Sequence, residues 1–244
     1  MQSLFHSVFN TAAARHLHTY NGYALNIVVC YNGGQLVGII NIVKLWTTDK
    51  SDMITDKFIM KITVSISGID SIIAVCLAET LKNPIEIIQK MMALPFCHMH
   101  GPEHHIMVGA ALLTAYKNAG GNIDLPKALV EMRSRGKQVP GGACGFWGAC
   151  GAGVSAGMFV SIITGSTPLA NEAWGLSNKM TSAALGAIGK VGGPRCCKRD
   201  SYLAKIKAVE FVKENLGIEM KIDEIKCIHS AQNNQCIGVR CPFS

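Results

Sequence analysis

Between Lys137 and Glu172 the chain runs for 34 residues without a single Asp, Glu, Lys or Arg. A helix that is apolar on every side has to be buried, in protein or in lipid. The centre of the run, ACGFWGACGAGVSAGMFVSIITG (143–165), is long enough to span a bilayer. It is nonetheless rich in Gly, Ala and Ser and poor in Leu, and it holds two Cys. An aromatic-plus-basic anchor set at both ends is also missing. The expected reading is therefore a central buried helix and no membrane span. Gly153-x-x-x-Gly157 would give it a face for close helix approach.

Composition supports a folded chain. Of 244 residues, 49% are hydrophobic and 16% charged, the reverse of the balance that disorder requires. Ten Cys are too many to ignore and too few for a disulfide scaffold. The first twenty residues lack the basic start and clean apolar run of a secretory signal, so a cytoplasmic location with reduced thiols is expected. Metal ligation or thiol chemistry then ranks above structural disulfides.

Net charge is +7, and the excess is local. From Gly186 to Lys213, seven basic residues (Lys190, Arg195, Lys198, Arg199, Lys205, Lys207, Lys213) face only Asp200 and Glu210. The commonest meaning of such a run is a solvated helix face. The functional alternative is a site for a carboxylate or phosphate. Nucleic acid is disfavoured, because few aromatic residues interleave with the cations.

The pattern predicts a mainly α protein. Residues 1–80 form a small α+β region, and 81–244 a Cys/His-rich helical domain built around the Gly/Ala-rich buried helix. ALNIVVCY (24–31) and QLVGIINIVKLW (35–46) flank Asn32-Gly33-Gly34 as a β-hairpin, and FIMKITVSI (58–66) is a further strand candidate. Asn83-Pro84-Ile85-Glu86 offers an N-cap, a Pro at the first helical position and a Glu at N3, for a helix to about Leu94. Further helices are expected from Pro102 to Gly120, over 126–135, from Thr167-Pro168 to about Lys190, and from Pro194 to Gly217. Ile106, Ala110, Leu113 and Tyr116 share one face, as do Leu203, Ile206, Val209, Val212 and Leu216. Ile218, Met220 and Ile222 alternate like a short strand, and 227–244 reads as a Cys-bearing loop.

The chemistry concentrates after residue 96. Cys144-Gly-Phe-Trp-Gly-Ala-Cys150 sets two thiols in a glycine run whose N–H groups can approach a cluster sulfide or anion. Gly192-Gly193-Pro194-Arg195-Cys196-Cys197-Lys198-Arg199-Asp200 places two thiols at a helix start beside three cations, which favours thiolate. Cys227-x8-Cys236-x4-Cys241-Pro242 ends the chain. None of these is by itself a zinc or iron–sulfur signature, and each single Cys has a plainer reading as a small buried hydrophobe. Cys30 and Cys76, in apolar runs, are expected in the core. Cys97-His98-Met99-His100-Gly101-Pro102-Glu103-His104-His105 packs four His and a Glu at a helix start, where an imidazole is biased towards neutral. Cys97 itself is open to either reading.

HGPEHH (100–105), VPGGACGFWGACGAG (139–153), SIITGSTPL (161–169), GGPRCCKRD (192–200), AVEFVKENLGIE (208–219) and CIGVRCPF (236–243) together resemble an uncharacterised domain-of-unknown-function family of anaerobic bacteria and archaea. The likeness runs from about Asn83 to Ser244. Members occur alone or fused to methyltransferase or radical-SAM modules. The resemblance therefore implies a metal- or sulfur-linked role in anaerobic metabolism but no particular reaction. Standalone relatives usually begin with a Cys-rich, zinc-ribbon-like segment, which residues 1–80 here do not match. A fainter pattern likeness is to iron–sulfur serine dehydratases, with a Gly-Pro-His-type helix entry and a Cys in a Gly/Ala-rich helix.

The leading expectation is an iron–sulfur protein with ligands drawn from Cys144, Cys150, Cys196, Cys197, Cys227, Cys236 and Cys241. Seven thiols exceed one four-Cys cluster, and neighbours such as Cys196 and Cys197 are expected to divide their roles. As an enzyme it would act on a small anionic substrate or serve methyl or sulfur transfer. Arg195, Lys198 or Arg199 would bind the anion or cofactor, and Glu103, His104 or His105 would move the proton. The rival is a non-enzymatic, zinc-stapled accessory module that docks on a methyltransferase or radical-SAM partner. A thiol redox protein working through Cys196 and Cys197 is the third reading.

Overall fold

The structure is a computed structural model. It describes the backbone of residues 14–20, 23–32, 35–44 and 59–60, and residues 68–244 with their side chains. The chain divides into two units, residues 1–74 and 75–244.

The first unit holds an antiparallel sheet in simple meander order: β1 (Ala14–Tyr20), β2 (Tyr23–Asn32), β3 (Gln35–Lys44) and β4 (Ile59–Met60). The expected hairpin is β2–β3, with Tyr23 opposite Lys44 and Asn32 opposite Gln35. Its Gly33-Gly34 link lies outside the described residues, as do residues 45–46 of the second arm. β1 was not foreseen; its ARHLHTY sequence alternates too weakly to mark a strand. Of the candidate strand 58–66 only Ile59–Met60 is described, paired with Ile40 and Asn41.

The second unit is helical. Its elements are α1 (Asp70–Ala78), which begins before the unit boundary, α2 (Pro84–Met92), α3 (His104–Asn118) and α4 (Leu125–Gly136). They continue with α5 (Ala143–Phe146), α6 (Gly151–Ile163), α7 (Glu172–Val191) and α8 (Cys197–Leu216). The start of α2 follows its sequence signal: Asn83 Oδ1 accepts from the Ile85 N–H at 2.9 Å and Pro84 opens the helix. α4 is capped the same way by Asp124, which accepts from Lys127 N–H.

The helix at the centre is α3. It is buried on every side from Ile106 to Tyr116, with α2, α4, α6 and α8 packed around it. The uncharged run lies beside it and is not one helix. Gly148 turns the chain at φ +64°, separating the single turn of α5 from α6. α6 buries its small residues, Gly151, Ala152, Gly153, Ser155, Ala156 and Gly157. The Gly153/Gly157 face receives α7: a Cβ on Gly153 would meet Leu185, and one on Gly157 would meet Thr181 and the Ser177 carbonyl. Among the described residues no helix is long and apolar enough to cross a membrane.

Several boundaries shift from expectation. α7 begins at Glu172, leaving Thr167-Pro168 in the preceding turn, and α8 begins at Cys197, leaving Pro194 in the loop before it. Residues 218–222 form no strand; one backbone bond, Lys221 N–H to Lys82 carbonyl at 3.0 Å, holds the segment, and Met220 is the residue that buries. The inward face of α8 is also rotated. Ser201, Ala204, Lys205, Ala208 and Val212 are buried, while Leu203, Ile206 and Leu216 are half-exposed. Lys198, Arg199 and Lys205 are 2%, 3% and 0% exposed, so the basic run is no solvated face: three of its seven cations lie inside the protein.

Candidate functional site

The first turn of α8 is the hub, because each successive side chain leaves the helix in a different direction. Cys196, the N-cap residue in extended conformation, faces the C-terminal tail. With Cys227, Cys236 and Cys241 it lines a small cavity of about 20 Å³, floored by Tyr202 and Phe243. Those two rings pack edge to face at 5.4 Å. Three of the four sulfurs accept N–H bonds: His229 N–H to Cys227 Sγ and Gly238 N–H to Cys236 Sγ, each 3.4 Å, and Asn233 Nδ2 to Cys196 Sγ at 3.5 Å. Asn233 Oδ1 in turn accepts from His100 Nε2 at 3.1 Å. His229 also lines the cavity, and its Nε2 is buried without a partner.

Cys197 leaves on the other side, under the backbone of Gly101, with Cys150 in its electrostatic range. Cys150 and Cys144 line a separate, open cleft of about 530 Å³, together with Gly142, Arg195 and Asp200. Phe146 in its wall is 89% exposed and the neighbouring Trp147 is 68% exposed. Cys150 Sγ donates to Asp200 Oδ2 at 3.8 Å. The seven predicted cysteines thus separate into the four-thiol cavity and the Cys144–Cys150–Cys197 side, and the adjacent pair Cys196–Cys197 is split between them.

Burial overrides the helix start in setting these thiols. It pushes Cys150 up to about 12 and Cys197 up to about 11, and it raises Cys196, against the thiolate bias expected from dipole and cations. The cations are engaged elsewhere. Arg199 donates to the Gly192 and Pro194 carbonyls and to Asp200, holding the loop in front of α8. Arg195 is exposed and faces the cleft.

Lys198 points to a third place. Its Nζ donates to Cys97 Sγ at 3.1 Å and to the His98 carbonyl at 3.0 Å. Cys97 Sγ lies 3.9 Å from His104 Nε2 and 3.9 Å from Met107 Sδ. Glu103, just before α3, accepts from His98 N–H at 2.8 Å. Cys97, Glu103 and His104 bring three ligand atoms within 4.8 Å of one another, a candidate metal-binding group. His104 is 1% exposed, and burial followed by the Lys198 charge lowers it to about 3, so it is neutral. Its Nδ1–H is fixed by the Gly101 carbonyl at 3.1 Å, which leaves the lone pair on Nε2, towards Cys97. His105 is likewise lowered by burial; its Nδ1–H goes to the Val139 carbonyl and its ring lies against Gly151. The structure thus sets Glu103, His104 and Lys198 together, with His105 in electrostatic range but bonded to the Val139 carbonyl, and places Arg195 at the cleft.

Sequence reasoning left Cys97 undecided and passed over Asn233 and His229. Only the fold brings the loop before α3 and the C-terminal tail to one helix end.

The sequence model of a family of unknown function, DUF5714, matches residues 72–244. The chain belongs to that family. Cys97, the helix-end cysteines and the tail all lie within the DUF5714 span, whereas the described strands lie outside it. No curated protein and no solved structure is significantly similar to the chain.

Proposed function

We propose that the chain is a metal-thiolate protein in which Cys196, Cys227, Cys236 and Cys241 hold one ion of the zinc class. The observation that carries this reading is the set of N–H donors aimed at three of these sulfurs, because hydrogen bonds to sulfur favour the charged thiolate that a metal requires. Two of the donors come from the residue two places after the ligand, so each loop turns back over its own sulfur. The cavity has room for about one water-sized body. That suits a single ion. Tetrahedral zinc–sulfur bonds of about 2.3 Å set thiolates about 3.8 Å apart. Among the described residues no three of these sulfurs are that closely gathered, so loading draws the irregular tail inward. In this reading zinc, the sequence alternative, stands ahead of iron–sulfur, the leading sequence expectation.

The role of such a centre is to fasten the tail over the start of α8. The cleft with Cys144, Cys150 and Arg195 remains the place for a small anionic molecule, since Arg195 is its exposed cation. The test is zinc, iron and acid-labile sulfide content of protein purified without oxygen. Zinc without sulfide is expected, with about one zinc fewer in Cys236→Ser. Iron with sulfide would replace the reading by a cluster.

A further inference from the structure

We infer that Cys97, His104 and Glu103 form a second, independent metal site that takes one divalent ion of the zinc class and leaves a coordination position open. Four observations meet there. The three ligand atoms already lie within 4.8 Å of one another. They are a thiol, an imidazole and a carboxylate, the mixed S/N/O set that suits zinc. The imidazole is presented as a ligand should be, with Nδ1–H fixed on the Gly101 carbonyl and the Nε2 lone pair aimed at the thiol side. The carboxylate is also steadied, since one oxygen accepts from His98 N–H.

The fourth observation is the neighbour. Lys198, 2% exposed, brings an ammonium to 3.1 Å from Cys97 Sγ and also donates to the His98 carbonyl. The fold therefore already accommodates positive charge at this sulfur. On binding, Cys97 gives its proton to solvent and the metal takes the sulfur lone pair; no electron moves. Two anionic ligands, one divalent ion and Lys198 sum to one positive charge. Three protein ligands leave a fourth position for water or an anionic ligand, with Lys198 beside it, the pattern of a working zinc site. The four-thiol cavity, by contrast, offers a closed set.

This inference does not rest on the tail centre. The experiment is site-mapped alkylation: the purified full chain is treated with iodoacetamide with and without Zn2+, and modification at each Cys is followed by mass spectrometry. Zn2+ is expected to slow alkylation of Cys97 tenfold or more in the wild type. In His104→Gln and Glu103→Gln it should slow it less than twofold, with protection of Cys227, Cys236 and Cys241 unchanged. Equal Cys97 rates with and without Zn2+ in the wild type would overturn the site, whatever the variants do. Protection that persists in both variants would also overturn it, by assigning the ion to other ligands. Protection of the tail cysteines is read in the same spectra, so failure of this site and failure of the tail centre are told apart.

Discussion

The helical body and the C-terminal tail are held together by different means. From α2 to α8 the chain buries Ile, Leu, Met and Ala around α3 and needs little else. Residues 217–244 contain only two short 3-10 turns, Ser230–Gln232 and Gly238–Arg240, and bury Met220, Asn233 and Phe243. One part is stabilised by apolar area, which scales with packed surface. The other is too small and irregular to fold on that basis, and it carries three thiols instead. A metal is what such a segment uses where a core is missing.

The largest expected effect follows from breaking that difference. Cys227→Ser with Cys241→Ser, or removal of the metal by a chelator, should release the tail while the body stays folded. Limited proteolysis read by mass spectrometry should show cleavage after residue 217 at least tenfold faster, with helical circular dichroism retained. Loss of the whole helical signal would show that body and tail are one unit.

Phe243→Ala tests the tail's main apolar anchor. Removing a buried Phe that packs on Tyr202 should cost about 3 kcal/mol in denaturant unfolding of the tail. A cost near zero would mean that the metal alone holds the segment.

Inside the body, Gly157→Ala should destabilise by roughly 1–3 kcal/mol, because its methyl would meet Thr181 and the Ser177 backbone across the α6–α7 contact. An unchanged melting temperature would contradict that close approach.

The smallest effect is a gain. Lys205 is fully buried, its Nζ has no partner, and burial lowers it well below its ordinary value. Between that lowered value and 10.5 the unfolded chain binds more protons than the folded chain, so across that window, and not below it, this residue makes stability rise with pH. Lys205→Met should raise stability by roughly 1–3 kcal/mol near neutrality and flatten the pH dependence. A steeper slope, or a loss of stability, would mean that the amine has work in the fold.

The parts that could be read from sequence were those set by local chemistry. The Asn83-Pro84 cap, the β2–β3 hairpin, the helical class and the small-residue face of α6 follow from neighbouring residues. The site was legible as a set of residue types, but its partition was not. Cys196 and Cys197 differ only in which side of a helix start they leave, and that depends on where α8 begins, at Cys197 rather than Pro194. Lys198, Arg199 and Lys205 read as surface charge because charge is ordinarily solvated. Here the first two are held by a thiol and carbonyls that arrive from distant or irregular segments, and Arg199 also by its helix neighbour Asp200.

The most direct test of the account is the metal and sulfide content of oxygen-free wild-type protein beside Cys236→Ser. The account predicts colourless wild-type protein with at least one zinc per chain and no acid-labile sulfide, and about one zinc fewer in the variant. Brown protein with iron and sulfide, or identical metal content in both chains, would contradict it.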